Sequence, residues 1–183
     1  TEAIYMSAPR LAQQIDEDVR SGALAVRLLK PISYPLYCLS SALGERLVRF
    51  LANFATGAAV TFFLVGPFNC SPEAPIMLLV TVLLAFVLDG LGHLIIGLWA
   101  FWLEDTSGLL LIYTRLSMIL GGMLIPMELF PDWVWGPAHL FVQSDWLQFA
   151  QLVGLQCLYI VVLLGVVNLI YSWALQRISA HGG

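Results

Sequence analysis

Four long, nearly uninterrupted apolar stretches divide this chain, and its charged residues gather before and between them. The stretches lie at 47–66, 76–103, 109–126 and 147–175. Each is close to or above the ~20 residues that an α-helix needs to cross a hydrocarbon core about 30 Å thick. A soluble domain of 183 residues would have to hide all four from water. The pattern therefore predicts an all-α polytopic membrane protein, a single transmembrane domain over 1–183 with four transmembrane helices.

Composition and the placement of charge agree with this prediction. The chain is 60% hydrophobic and 11% charged, with a mean hydropathy of +0.86, whereas soluble domains carry about 25% charged residues. The loop at 67–75 and the connection at 126–146 contain acidic residues but no Lys or Arg. By the positive-inside rule, both ends of this segment are expected on the cytoplasmic side. The basic residues that precede or open the first stretch, or follow the last, are Arg10, Arg20, Arg27, Lys30, Arg46, Arg49 and Arg177.

Residues 10–45 differ from the apolar stretches because charged and apolar positions are mixed there. The mixture predicts short amphipathic helices, interrupted at Gly22 and stopped at Pro31. Pro31 and Pro35 disfavour helix from 32 to 34, and we expect a helix to restart near Ser40. Two interpretations remain open at this point. The segment is either a loop that lies along the lipid headgroups or a docking surface for a soluble partner.

The connection at 126–146 is too apolar and aromatic for a solvated loop, and too short to cross the membrane and return as two full helices. Prolines and a glycine interrupt it. Irregular backbone at membrane depth is tolerated only where protein covers it or where it lines a cavity. The pattern predicts an external re-entrant or interfacial hairpin.

Asp89, His93 and Arg115 lie well inside the apolar stretches. Asp89 and His93 are one helical turn apart, so they share a face of the second predicted span. Arg115 lies in the neighbouring antiparallel span. Charges at this depth are costly and normally find partners, which predicts a polar cluster of Asp89, His93 and Arg115. The cluster either fixes helix packing, lines a substrate path or relays protons.

Cysteines and nucleophiles offer little further chemistry. The three cysteines form no CxxC pair and are too scattered to predict a metal site. No Ser or Cys nucleophile accompanies Asp89 and His93 at a recognisable spacing. We therefore predict no catalytic residues and no metal.

Three motifs, taken in order, resemble those of one transporter family. The sequence IDEDVRSGAL at 15–24, running into LLKPI at 28–32, is similar to a cytoplasmic "I…I..G.L…LL(K/R)P" segment of that family. FWLE at 101–104, followed by Gly108, is similar to its "FW.E…G" turn. The stretch GGMLIPMELFPDW at 121–133 is similar to its "SG.(L/I)IP…FP.W" pattern, with Gly121 where Ser is common. The chain resembles the membrane subunit of a bacterial ABC-2 type exporter encoded without a fused ATPase.

This resemblance implies an architecture and two further sites. The family has six spans per subunit and works as a dimer of permeases with two ATP-binding subunits. The four stretches would then be the third to sixth spans, and the missing pair would precede Thr1. The resemblance assigns the segment that contacts the ATPase to Ile15, Val19, Gly22, Leu24, Leu28, Leu29, Lys30 and Pro31. It assigns the external re-entrant turn to Pro126, Phe130, Pro131 and Trp133.

The expected function is that of a permease subunit in the bacterial cytoplasmic membrane. No GxxxxGK[ST] phosphate loop occurs in the sequence, so we expect ATP-Mg on a separate partner subunit and no cofactor on this chain. The other expected partners are a second permease, as a homodimer or heterodimer, and membrane lipids, with no nucleic acid. Two alternatives remain. One is a membrane acyl- or glycosyltransferase that uses Asp89 and His93, and the other is a proton-coupled carrier that also uses Arg115.

Overall fold

The computed structural model describes residues 10–28, 32–66, 73–103, 105–120 and 146–181. Within these ranges the chain forms six α-helices and no strand. The prediction of an all-α fold is therefore confirmed. The helices are α1 (Leu11–Ser21), α2 (Ala23–Leu28), α3 (Tyr34–Val65), α4 (Ala74–Leu98), α5 (Ser107–Leu120) and α6 (Trp146–His181), and a 3₁₀ turn (Trp99–Phe101) extends α4.

Three segments of these helices are long and apolar enough to cross a membrane: Tyr34–Leu64, Ile76–Phe101 and Trp146–Gln176. The chain is therefore a multi-pass membrane protein. Helix α5, described up to Leu120, has 14 residues and reaches about 21 Å at the α-helical rise. That is short of the ~30 Å core. The predicted third span, at 109–126, thus runs beyond the described residues. The predicted hairpin, with Pro126, Phe130, Pro131 and Trp133, lies outside them as well.

Helix α3 begins earlier than the sequence pattern suggested. The expectation of a break until Ser40 is wrong, because α3 starts at Tyr34 and continues without interruption to Val65. Pro35 lies in its first turn, where a backbone N–H has no helical partner, so the missing donor costs little. The last third of the predicted cytoplasmic segment consequently belongs to the same rigid rod as the first predicted span.

Helix α4 is the centre of the bundle. It packs against α1, α3, α5 and α6. Within its most apolar 18 residues, 39% are buried, whereas the corresponding share is 6% for each of the other two spanning segments. Small residues on α4 permit the close approach. A Cβ atom at Gly97 would lie 2.7 Å from Ile15 Cδ1 and 3.2 Å from the Ala12 Cα atom. The amphipathic helix α1 is therefore seated directly on the backbone of α4.

The main core forms where α1, α3, α4 and α6 meet. Its buried members come from these four helices and, through Leu24, from α2 as well. Apolar burial is the dominant stabilising term for such contacts where water would otherwise reach them. On α1, the opposite face, which includes Gln13, Glu17 and Arg20, is exposed. The core residues are Leu11, Ile15, Leu24, Tyr34, Cys38, Leu39, Ala42, Leu91, Leu94, Leu98 and Val167.

Candidate functional site

Helices α1 and α2 form a compact unit around one buried carboxylate. Gly22 separates them with a φ of +74°, a left-handed conformation that glycine adopts at helix ends without strain. The turn returns Arg27 of α2 to Asp18 of α1, with Nη1 and Oδ2 2.9 Å apart. Tyr34, the first residue of α3, donates its hydroxyl to the same oxygen at 2.8 Å. We call Asp18, Arg27 and Tyr34 the Asp18 junction.

Three of the residues that the resemblance assigned to the ATPase contact face inward. Ile15 and Leu24 are buried in the main core, and Val19 is half-buried against it. Gly22 forms the exposed turn. Ile15, Val19 and Leu24 therefore attach the unit to the bundle and do not form its outer surface. Of the remaining assigned residues, the backbone of Leu28 ends α2, and Leu29, Lys30 and Pro31 lie outside the described residues.

The outward surface of the unit is formed by residues that were not assigned to the ATPase contact. Val26 on α2 is 67% exposed, and Ile32, shortly before α3, is also exposed. Glu17 and Arg20 extend this surface along α1. A protein–protein interface typically has an apolar centre and a polar rim. Exposed apolar side chains with charged neighbours, as on this surface, match that composition.

The turn between α4 and α5 contacts the unit through a second, weaker link. Arg20 lies 3.4 Å from Asp105 and 3.1 Å from Asp16. Asp105 also accepts the backbone N–H of Ser107 at 2.8 Å, which caps the start of α5. That hydrogen bond lowers the pKa of Asp105 below its ordinary value. Because Arg20 and Asp105 are both exposed, this ion pair is screened and contributes little to stability.

A second polar group lies deeper, between α3, α4 and α5. Asp89 on α4 is its centre. Arg46 on α3 donates from Nη1 to Asp89 Oδ2, and Tyr113 on α5 donates its hydroxyl to Oδ1 at 2.9 Å. His93 Nδ1 lies 3.4 Å from Oδ2. It also lies 2.9 Å from the Asp89 carbonyl oxygen, which can only accept, so this ring nitrogen carries a proton. We call these four residues the Asp89 cluster.

Arg46 is the most deeply buried charge of this cluster, at 4% exposure. Its guanidinium lies 4.5 Å from the centre of the Phe86 ring, a cation–π geometry that partly replaces lost hydration. Its Nε atom is buried and has no hydrogen-bond partner among the described residues. The Asp89 carboxylate therefore supplies most of the compensation for this charge.

Arg115 does not join Asp89 and His93 as predicted. Its side chain is exposed and lies 3.8 Å from Met118 Sδ on its own helix. Arg115 is two positions beyond Tyr113, which rotates it by about 200° around α5. Since Tyr113 faces α4, Arg115 faces away. Its expected place beside Asp89 is taken by Arg46, which the sequence pattern assigned to the basic flank before the first span.

Gly92 makes room for Tyr113 in the cluster. A Cβ atom there would lie 2.5 Å from the Tyr113 hydroxyl oxygen, closer than real side chains approach. This glycine, the neighbour of His93 in the chain, thus has a packing role. It lets α5 bring its hydroxyl to the Asp89 carboxylate.

At the opposite end of the bundle, α4 and α6 are linked by one exposed hydrogen bond. Trp146 donates its indole N–H to Glu73 at 2.7 Å. In the described part of the chain, no three His, Cys, Asp or Glu side chains are placed to hold a metal ion.

The geometry thus comprises a spanning bundle, a peripheral amphipathic unit and a buried ion pair, and a family comparison decides what it belongs to. A family model described as "ABC-2 family transporter protein" matches residues 1–182. This chain belongs to that family. Separate searches of curated proteins and of solved structures gave no match. The resemblance predicted from the three motifs is therefore confirmed.

Membership establishes the general role of this ABC-2 family protein. It is a membrane component of a transporter and not itself an enzyme. Proteins of the family generally associate with an ATP-binding subunit. Within the described residues, the Asp18 junction and the Asp89 cluster are two places where polar side chains from three helices meet.

Proposed function

We propose that this ABC-2 family protein is the permease subunit of an ATP-driven exporter. It forms the translocation path together with a second permease copy, identical or related, and takes its energy from a separate subunit that binds ATP-Mg. Family membership supports a permease. The lack of a phosphate-loop pattern in the sequence supports an external source of energy.

The observation that carries the proposal is the seating of α1 on α4 at Gly97. An amphipathic helix that only lay along the headgroups would need no such close contact with a spanning helix. Here Ile15 is fully buried against α4, while Val26 on the adjoining helix points outward. A partner that binds α2 and pushes on it would therefore press directly on the end of the central spanning helix.

The proposed orientation places the α1–α2 unit and the end of α6 in the cytoplasm. Arg20 and Arg27 lie on this unit, whereas the turn before α4 holds Glu73 as its only described charge. Cytoplasmic loops carry the excess of Lys and Arg. The membrane is then the bacterial cytoplasmic membrane, and the ATP-binding subunit meets the unit from the cytoplasm.

The proposed permease dimer uses faces that this single chain leaves uncovered. In both α3 and α6, only 6% of the most apolar 18 residues are buried within the chain. Lipid covers part of this surface, and a second permease covers another part. In lipid, helix association depends on close packing and polar contacts rather than on apolar burial.

Co-purification from a membrane that contains both proteins tests this proposal. The full-length permease is expected to retain its neighbouring ATPase in detergent and to stimulate ATP hydrolysis. Val26→Asp should abolish retention, because it places a charge on the exposed apolar surface of α2. Gln13→Asp, the matched control on α1, should keep it.

Two results would count against the proposal. The first is a wild-type permease that neither retains the ATPase nor changes its rate of ATP hydrolysis. The second is loss of retention in both variants alike, which would show a general effect of added negative charge rather than a docking surface on α2.

A further inference from the structure

The Asp18 junction contains a charge that the apolar packing of α1 does not require. Asp18 is 5% exposed, and burial of a carboxylate is costly unless it is paired and hydrogen-bonded. Its two partners come from different helices, Arg27 from α2 and Tyr34 from α3. An apolar residue at this position would fill the same space without that cost.

We propose that Asp18 is a positioning residue that locks the α1–α2 unit to the beginning of α3, so that a push received on α2 moves α3 with it. This inference rests on the proposed function, in which the push comes from an ATP-binding subunit. Asp18 itself touches neither nucleotide nor cargo. It acts by fixing the direction in which the unit meets α3.

Directionality is what the junction adds to the apolar contacts. Apolar burial is non-directional, so α1 and α2 held by apolar contacts alone can slide over α3 with little penalty. The Tyr34 hydroxyl reaches Asp18 at 2.8 Å, and a hydrogen bond weakens steeply once its angle departs from linearity. The Arg27 contact at 2.9 Å lacks hydrogen-bond alignment and acts as an ion pair.

Arg27 adds a contact between α2 and α3, at Tyr37. Its guanidinium carbon lies 5.9 Å from the centre of the Tyr37 ring. The beginning of α3 therefore contacts α1 through Tyr34 and α2 through Tyr37. The link from α1 to the α4–α5 turn, between Arg20 and Asp105, is exposed on both sides and yields more easily.

Helix α3 is also tied to α4 further along its length. Arg46 lies about three turns beyond Tyr34 and pairs with Asp89 on α4. Motion imposed at the Asp18 junction thus reaches a spanning helix that is connected to the bundle centre by a second buried ion pair. The Asp18 junction and the Asp89 cluster thus lie at the two ends of the cytoplasmic half of α3.

The test uses the full-length permease with its ATPase in lipid nanodiscs. Spin labels are attached at two exposed positions, Gln13→Cys on α1 and Val48→Cys on α3, after Cys70 and Cys157 are replaced by serine. The distance between the labels is measured without nucleotide and with ATP trapped by vanadate. Asp18→Asn and Tyr34→Phe are compared with wild type and with the control Glu45→Gln, an exposed carboxylate on α3 that lies outside the α1–α2 unit.

In wild type and in the control we expect one narrow distance distribution that is the same in both nucleotide states. Asp18→Asn should broaden it, keep ATPase binding intact and reduce stimulation of ATP hydrolysis by about tenfold or more, the factor for a hydrogen bond to a charged group. Tyr34→Phe, a milder change, provides the test if Asp18→Asn fails to fold.

The outcomes separate this inference from the proposed function. A wild-type permease that does not bind or stimulate the ATPase refutes the proposed function. Normal binding combined with unchanged distances in Asp18→Asn and Tyr34→Phe overturns the junction. Broadened distances with full stimulation of ATP hydrolysis overturn it too, because Asp18 would then stabilise the fold without transmitting the push.

Discussion

Replacing Asp89 by leucine should destabilise the protein by about 3–5 kcal/mol, the usual cost of leaving one member of a buried ion pair without its partner. Arg46 is only 4% exposed, so its guanidinium cannot regain water without moving α3. The Tyr113 hydroxyl loses its acceptor as well, which adds about 1 kcal/mol. Leucine has a similar size, so the loss is not a cavity effect.

The double variant Asp89→Leu with Arg46→Met should recover most of that loss. Replacing both members of a buried pair by apolar residues of similar volume is often neutral or stabilising. Met is unbranched and fills the path of the Arg46 side chain over Phe86, where the ring already provides an apolar wall. We therefore expect the double variant to be more stable than Asp89→Leu alone.

Unfolding of the purified protein by SDS titration in mixed micelles, followed by circular dichroism, measures these free energies. The four proteins form a double-mutant cycle, which isolates the coupling between the two residues. The reasoning is refuted if Asp89→Leu is as stable as wild type. It is equally refuted if the double variant is no more stable than Asp89→Leu, since the charge of Arg46 would then not be the source of the cost.

Three further outcomes are expected. Gly97→Ala should cost about 1–3 kcal/mol by overpacking in the same titration, whereas Gly165→Ala, which has open space around it, should not destabilise. Gly92→Ala should destabilise less in a Tyr113→Phe background than in wild type, because the added Cβ meets the hydroxyl; equal costs would contradict that contact. In cells, Ser107→Cys in a background without Cys70 and Cys157 should react with a membrane-impermeant maleimide only from the cytoplasmic side, and labelling from outside would reverse the proposed orientation.

Long apolar stretches made the membrane class predictable, because a helix must be about 20 residues long to cross lipid whatever its neighbours are. Motifs spread along most of the chain made the family predictable. The start of α3 was not, since Pro35 is a helix breaker in an interior and a favourable residue in a first turn. These two roles of proline can be distinguished only when the first residue of the helix is known.

The candidate site was predicted in part for a related reason. Asp89 and His93 were paired correctly because they lie on one helix, where spacing alone decides proximity. Arg46 and Arg115 were exchanged because each belongs to a different helix from Asp89. A signal for Arg46 exists in retrospect: once α3 is continuous from Tyr34, Arg46 lies well inside a helix and needs a buried partner.

The sequence by itself determined that this chain spans the membrane repeatedly, that it belongs with ABC-2 permeases, and that an amphipathic segment precedes the first span. These properties depend on residue type and on spacing along one helix. Only the tertiary structure decided that α1 sits on Gly97 of α4, that Asp18 joins three helices, and that Arg46 rather than Arg115 neutralises Asp89. Such pairings depend on the rotation and depth of each helix against its neighbours, and hydropathy along the chain carries no information about either.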